Sequence, residues 1–352
     1  MTTSTKPPRQ RFVALDFLRG VAAIGVLARH AFPVSVYTDP LPYLVDFFFV
    51  LSGFVLEPIY PNANNFVKGS KNFILKRIVR FWPMVICVLT AQFIREVFFN
   101  SNITRSAISV VLAYALLQVF SMQSAKILYP LWSLSAEWIV NVLSIPFTLH
   151  RKYLSGFVLI ILGYCMMMPA LLHNGFQSSI HLPITGFPAI GRAVVGIGIG
   201  LTLRIFFRKF NDAGKDFPTF FAFVATASLF ILVVLSHFVG IKVLWIAAIC
   251  FAPLIFLVAM NNERLFQSRF RNFAVIVGEL SFGIYAWHYV FVEPFGSHQL
   301  TSNLWVQGIL NFIVMLTLAV IATLLTQKFV ERPVQNYFKR RQMSATLPES
   351  SR

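Results

Sequence analysis

Arg19 and His30, with ten residues between them, both lie in the first long apolar stretch of the chain, Phe12–Pro33. A helix turns about 100° per residue, so eleven steps return His30 to within roughly 20° of the Arg19 direction, about 16 Å further along the axis. That distance is over half of the roughly 30 Å hydrocarbon thickness of a bilayer. Ionisable side chains at such depths are costly, and as a rule they face a polar cavity with a function. The pair offers a cation for the anionic end of a long donor and, in line with it, an imidazole for proton transfer.

Other ionisable residues fall inside apolar stretches. With the N-terminus in the cytoplasm, Arg19 is in the inner half of the first span and His30 near its outer end. Asp46 is near the start of an inward-running second span. Glu137 enters the fifth apolar segment from outside, and His288 is near the outer end of the tenth. His30, Asp46, Glu137 and His288 are therefore expected at one depth. A histidine within reach of a carboxylate is the usual general-base arrangement, the carboxylate fixing the tautomer and stabilising the imidazolium. Each residue also has a plainer reading. His30 could be the polar end of a helix, and Asp46 an N-cap. Glu137 could pair with a basic neighbour. His288 could be a structural hydrogen-bonding group, sharing a helix face with Ser281 and Tyr285.

Arg19, Lys76, Arg77 and Arg80 are expected at the cytoplasmic depth, and guanidinium groups bind phosphate through two parallel hydrogen bonds. Topology alone accounts equally for Lys76 and Arg77, whereas Arg80 stands inside the start of a span, before Trp82-Pro83. Asp16, three residues before Arg19, can neutralise it on the same helix. Arg192 is a second candidate for contact with an anion. The run Gly196-Ile197-Gly198-Ile199-Gly200 reads as close helix packing, because no strand precedes it as a phosphate loop requires. Ser52 and Ser135 lack the Gly-x-Ser-x-Gly elbow of a serine nucleophile. Cys87, Cys165 and Cys250 have no metal-ligand spacing, and no metal is expected.

The elements that must position these groups are membrane helices. Of 352 residues, 57% are hydrophobic and only 12% charged, and mean hydropathy is +0.70; soluble domains are nearer a quarter charged. The net charge of +17 belongs to cytoplasmic loops rather than to a nucleic-acid surface. Apolar segments run Phe12–Pro33, Tyr43–Tyr60, Ile78–Phe99, Ala107–Phe120, Leu131–Leu149, Leu154–Leu172, Pro188–Phe207, Phe217–Phe238, Ile241–Met260, Phe273–Val292 and Leu304–Phe329. The first is long enough to span, so a cleavable signal peptide is not expected. Lys and Arg cluster at the N-terminus, at Lys68 to Arg80, at Arg151-Lys152, at Arg204 to Lys215, at Arg264 to Arg271 and beyond Lys328. The intervening loops lack them, which places both termini in the cytoplasm. Three segments join the Lys68–Arg80 and Arg151-Lys152 clusters, so one of them does not cross. Ala107–Phe120 is the shortest and is assigned as re-entrant or peripheral. The expectation is an all-α integral membrane protein: residues 1–11 as a cytoplasmic tail, 12–334 as one bundle of about ten transmembrane helices, and 335–352 as a second cytoplasmic tail.

Specific motifs stand in order along this frame. After Arg19-x10-His30 come Asp46-Phe47-Phe48-Phe49-Val50-Leu51-Ser52-Gly53-Phe54, Lys76-Arg77-Ile78-Val79-Arg80-Phe81-Trp82-Pro83 and Leu131-Trp132-Ser133-Leu134-Ser135-Ala136-Glu137. Ser281-Phe282-Gly283-Ile284-Tyr285-Ala286-Trp287-His288 and Val330-Glu331-Arg332-Pro333 follow. As an ordered set they resemble the acyltransferase 3 family of multi-pass membrane O-acyltransferases, over nearly the whole chain. The resemblance implies an acyl-CoA donor, acetyl-CoA being the expectation, as co-substrate rather than resident cofactor. It implies a hydroxyl acceptor on a glycan or lipid-linked sugar, and a place in the plasma (cell inner) membrane. Some members carry an extracytoplasmic SGNH-type hydrolase domain; this sequence ends after the membrane part. In that setting Arg19, Arg80, Arg77, Lys76 and Arg192 are candidates for the donor phosphates, and His30, oriented by Asp46 or Glu137, is the base. The rival expectation is a secondary transporter of a sugar or organic anion using the same charges, although the paired broken spans of inverted repeats are not evident. A catalytically idle partner of a glycan assembly complex is the third.

Overall fold

The computed structural model describes residues 11–32, 41–60, 66–99, 106–148, 153–174, 184–213, 246–262, 270–292 and 301–344. The expected span Phe217–Phe238 and the Arg151-Lys152 cluster lie outside them. Among the described residues every regular element is helical. The helices are α1 (Val13–Ala31), α2 (Leu44–Leu56), α3 (Phe66–Phe99), α4 (Ala107–Tyr114), α5 (Met122–Ala125), α6 (Leu131–Leu143), α7 (Tyr153–Asn174), α8 (Gly186–Asp212), α9 (Ala247–Met260), α10 (Phe270–Trp287), α11 (Leu304–Thr326) and α12 (Arg332–Ser344).

Among the described residues, five stretches are long and apolar enough to cross a membrane: Leu41–Ile59, Tyr153–Ala170, Gly186–Asp212, Phe270–Phe291 and Leu304–Arg341. Of the other five crossings expected, Phe217–Phe238 lies outside the described residues, and four fall short for physical reasons. Helix α1 has 19 residues but carries Asp16, Arg19, Arg29 and His30. Helix α3 has 34 residues, with a basic first half and Pro83 inside it. Helices α6 and α9 are apolar but short. The segment Ala107–Phe120 is not one rod. Its eight-residue α4, about 12 Å long, ends at Tyr114, and Leu116 just beyond has a φ of 56°. A 3-10 turn at Gln118–Phe120 follows.

Glycines set the closest helix contacts. A Cβ on Gly20 of α1 would stand 2.7 Å from the Val277 carbonyl oxygen of α10, and one on Gly278 would stand 2.8 Å from the Asp16 carbonyl oxygen. These contacts hold α1 and α10 parallel, backbone against backbone. Gly196 and Gly200 of α8 meet Phe49, Val50 and Phe54 of α2, while Gly198 on the opposite face meets Gly156 and Leu159 of α7. The Gly-Ile-Gly-Ile-Gly run is therefore a two-sided packing seam between α2 and α7, the small-residue logic of membrane helices.

Helix α11 runs without interruption through a π turn at Gln327–Glu331 into α12. Pro333 has no N–H and would crowd the carbonyl four residues earlier in a regular α-helix. The wider turn falls immediately before it.

Candidate active site

The parallel register of α1 and α10 brings His30 to His288. Their ring centres are 5.3 Å apart with planes at 35°. His30 is the penultimate residue of α1, and His288 opens the 3-10 turn that follows α10. Two tyrosines complete the group. Tyr289 stands edge-on to His30 at 5.3 Å and Tyr129 at 6.4 Å, and the two tyrosines stack on one another at 6.1 Å. His288 is fully buried, with Nδ1 2.7 Å from the Tyr285 carbonyl oxygen. The Tyr285 hydroxyl donates to the Pro130 carbonyl at 3.0 Å and shares a 2.6 Å hydrogen bond with Ser133 Oγ. That clamp fastens the end of α10 to the start of α6.

The two carboxylates that the sequence set beside His30 are engaged elsewhere. Asp46 takes both arms of Arg192, Nη2 to Oδ2 at 2.7 Å and Nε to Oδ1 at 3.3 Å. The Arg192 guanidinium also lies over the Trp132 ring, 5.2 Å from its centre. Both members of the pair are buried. Glu137 stands deeper, because it comes six residues into α6, about 9 Å along the axis. Its Oε1 accepts from Ser52 Oγ at 2.7 Å, from Arg77 Nη2 at 3.0 Å and from Asn141 Nδ2 at 3.5 Å. Tyr60 extends this network by donating to Asn141 Oδ1 at 3.2 Å. The expected single layer of His30, Asp46, Glu137 and His288 is thus three clusters: a histidine pair, an Asp46–Arg192 pair and a Glu137–Arg77–Ser52 network.

Of the expected phosphate-binding cations, Arg77 and Arg192 are neutralised by these carboxylates. Arg19 is held by α10, Nε donating to Ser281 Oγ at 2.9 Å and Nη2 to the Gly278 carbonyl at 2.7 Å. It also pairs with Asp16 at 3.1 Å. Asp16 is shared with Arg11 at 3.0 Å, and Arg11 reaches Glu279 at 3.2 Å. Arg80 and Lys76 are exposed, and Arg80 stands within electrostatic range of Arg19 and Glu331.

Sequence reasoning missed Tyr129, Tyr289 and Trp132 as walls of the site, and Ser52 as the partner of Glu137. Tyr289 follows His288, and Tyr129 precedes the Leu131-to-Glu137 motif, but an aromatic inside an apolar run gives no local sign of which side chain it will face. Chemically, the arrangement supplies an open cation and a fixed guanidinium at one end of α1, and an imidazole walled by aromatic rings at the other. Buried ion pairs brace the helices between.

A family model described as an acyltransferase domain matches residues 12–327. The chain is similar to O-acetyltransferase OatA of Staphylococcus aureus (strain NCTC 8325 / PS 47), 24% identical over 355 aligned residues that cover 91% of this chain and 57% of that protein. It is also similar to the protein of Rhizobium radiobacter described as protein 2 in picA locus, 38% identical over 87 residues covering 24% of this chain and 46% of that protein. The chain spans about half the length of these curated relatives. No solved structure matches it.

Proposed function

The chain belongs to the acyltransferase 3 family, and from that premise we propose that it is a multi-pass membrane O-acyltransferase. In this reading it moves an acyl group, acetyl in the first instance, from cytoplasmic acyl-CoA to a hydroxyl of a glycan or glycolipid. The observation that carries the reading is a single helix bearing Arg19 in its first half and His30 at its far end, about 16 Å apart, with an aromatic-walled imidazole pair at the His30 end. The name of the Staphylococcus aureus relative supports acetyl as the group moved.

Acyl-CoA enters at the cytoplasmic side, its phosphates against Arg80, Lys76 and Arg19. Ser281, Gly278 and Asp16 hold the Arg19 fork in a fixed plane, which favours two-point contact with phosphate. The thioester extends towards the histidines. His30 takes the proton of the acceptor hydroxyl as its oxygen attacks the thioester carbonyl. The carbon–sulfur bond breaks and the thiolate recovers the proton from His30. Direct transfer and transfer through an acyl-His30 both use this imidazole. Both termini stand in the cytoplasm, and about ten segments cross the plasma membrane.

The test uses purified protein, radiolabelled acetyl-CoA and methyl pyranosides as probe acceptors. His30→Ala should lose about 10²–10⁴-fold in transfer, the range for a general acid–base group, while still binding acetyl-CoA. Arg19→Lys should do the reverse, weakening acetyl-CoA binding because lysine keeps the charge and loses the planar fork. Near-wild-type transfer by His30→Ala, with folding verified by thermal melting, would move the base elsewhere.

A further inference from the structure

His288 holds a buried ring nitrogen with no hydrogen-bond partner among the described residues. Its Nδ1 meets the Tyr285 carbonyl at 2.7 Å. A carbonyl only accepts, so Nδ1 carries the hydrogen and neutral His288 presents a bare lone pair at Nε2. Nε2 is buried without a hydrogen-bond partner among the described residues. Such a group costs about 1–3 kcal/mol when left unsatisfied, so a buried Nε2 calls for a partner. Among the described residues the facing imidazole is His30, with ring centres 5.3 Å apart. Two imidazoles joined head to head by one N–H···N bond stand about 5 Å apart centre to centre. The distance is already right, and a turn of the His30 ring about its own bonds completes the contact.

We propose that His288 is the positioning residue for His30, standing where a carboxylate stands in the usual general-base pair. This rests on the acyltransferase reading of the same site. His288 Nε2 accepts one N–H of His30 and so fixes the tautomer in which the other His30 nitrogen is bare and faces the acceptor hydroxyl. When that nitrogen takes the hydroxyl proton, the His30–His288 hydrogen bond becomes charge-assisted and strengthens. The proton then passes from His30 to the departing thiolate, and His288 keeps its Nδ1 hydrogen throughout. Both nearby carboxylates are committed to arginines. A neutral partner orients the base without adding a further charge to the interior, where charges are costly. The Tyr285 clamp on Pro130 and Ser133 holds the carbonyl that dictates the His288 tautomer.

The test pairs ring-nitrogen NMR of isotopically labelled histidine with transfer rates, using full-length protein in lipid nanodiscs. Wild type should show His288 protonated at Nδ1 and bare at Nε2, and His30 in one tautomer. His288→Ala should leave His30 as a mixture of tautomers and lower kcat by about 10²-fold, with the KM for acetyl-CoA unchanged. His288→Gln places an accepting oxygen near the Nε2 position, so it should restore the single His30 tautomer and most of the rate. His30 signals that are identical in wild type and His288→Ala would overturn the proposal, as would equal loss of rate in the Ala and Gln variants with both melting normally. The spectrum needs no acyl donor. A wild type that transfers no acetyl would therefore sink the acyltransferase reading, while the pairing of the rings would still be decided by the spectrum.

Discussion

Changing Asp46 to asparagine leaves the side-chain shape and removes the charge that Arg192 grips with two nitrogens. The Asp46 side chain is 3% exposed and that of Arg192 is 6% exposed, with the shorter contact at 2.7 Å. Breaking one partner of a buried pair typically costs about 3–5 kcal/mol, because the other charge stays behind. Hydrogen bonds between membrane helices are much weaker, about 0.6 kcal/mol on average, since the unfolded state in the membrane also finds partners. The stranded arginine decides the outcome, at roughly 2.5–3.5 kcal/mol for an arginine at the helix centre. Arg192 is only six residues into α8, so it can lean towards the near surface, and Asp46→Asn should cost about 2–3 kcal/mol. Arg192→Met removes the charge while keeping contact with the Trp132 ring; it strands Asp46 and should cost a similar amount. The double variant strands nothing and should be more stable than the sum of the two losses by about 2 kcal/mol. Reversible unfolding in mixed detergent, run as a double-mutant cycle, measures this coupling. Losses that simply add would mean that the pair is a contact without energetic consequence.

Two further outcomes follow from the packing and the topology. Gly200→Val should destabilise by about 1–3 kcal/mol, since a Cβ there meets Phe54 N at 2.6 Å and the Gly53 carbonyl carbon at 2.9 Å, whereas Gly25→Ala meets the movable side-chain ends of Leu44 and Leu41; thermal melting of both variants would contradict the seam if the two behaved alike. Reporter fusions after Gln123 and after Lys152 should read outside and inside respectively if Ala107–Phe120 does not cross, and the opposite pair of readings would overturn that assignment.

Composition and hydropathy made the all-helical membrane class legible, and the ordered motifs made the family legible, because both depend on residues in sequence. The glycine seam was legible for a related reason: residues spaced by two and four on a helix have fixed directions, whatever they meet. The partners of Asp46 and Glu137 were not legible. Depth along an axis follows from counting residues, but which arginine a carboxylate faces depends on how helices rotate and slide past one another. That is set by contacts such as Gly20 against Val277 and Gly278 against Asp16, which leave no trace in local periodicity. His30 and His288 could be placed at similar depths by counting, yet their 5.3 Å approach required the parallel packing of two helices from opposite ends of the chain.

That pairing has a consequence for biosynthesis. His30 and His288 are separated by about 260 residues, which at a ribosomal rate of roughly 5–20 residues per second takes on the order of 10–50 s to bridge. During that interval α1 has been made, but the helix that holds Arg19 and supplies the second ring has not. The nascent chain thus carries the His30 imidazole without its finished setting. A chain cut short before α10 has His30 with neither the second ring nor the hydrogen bonds that hold Arg19.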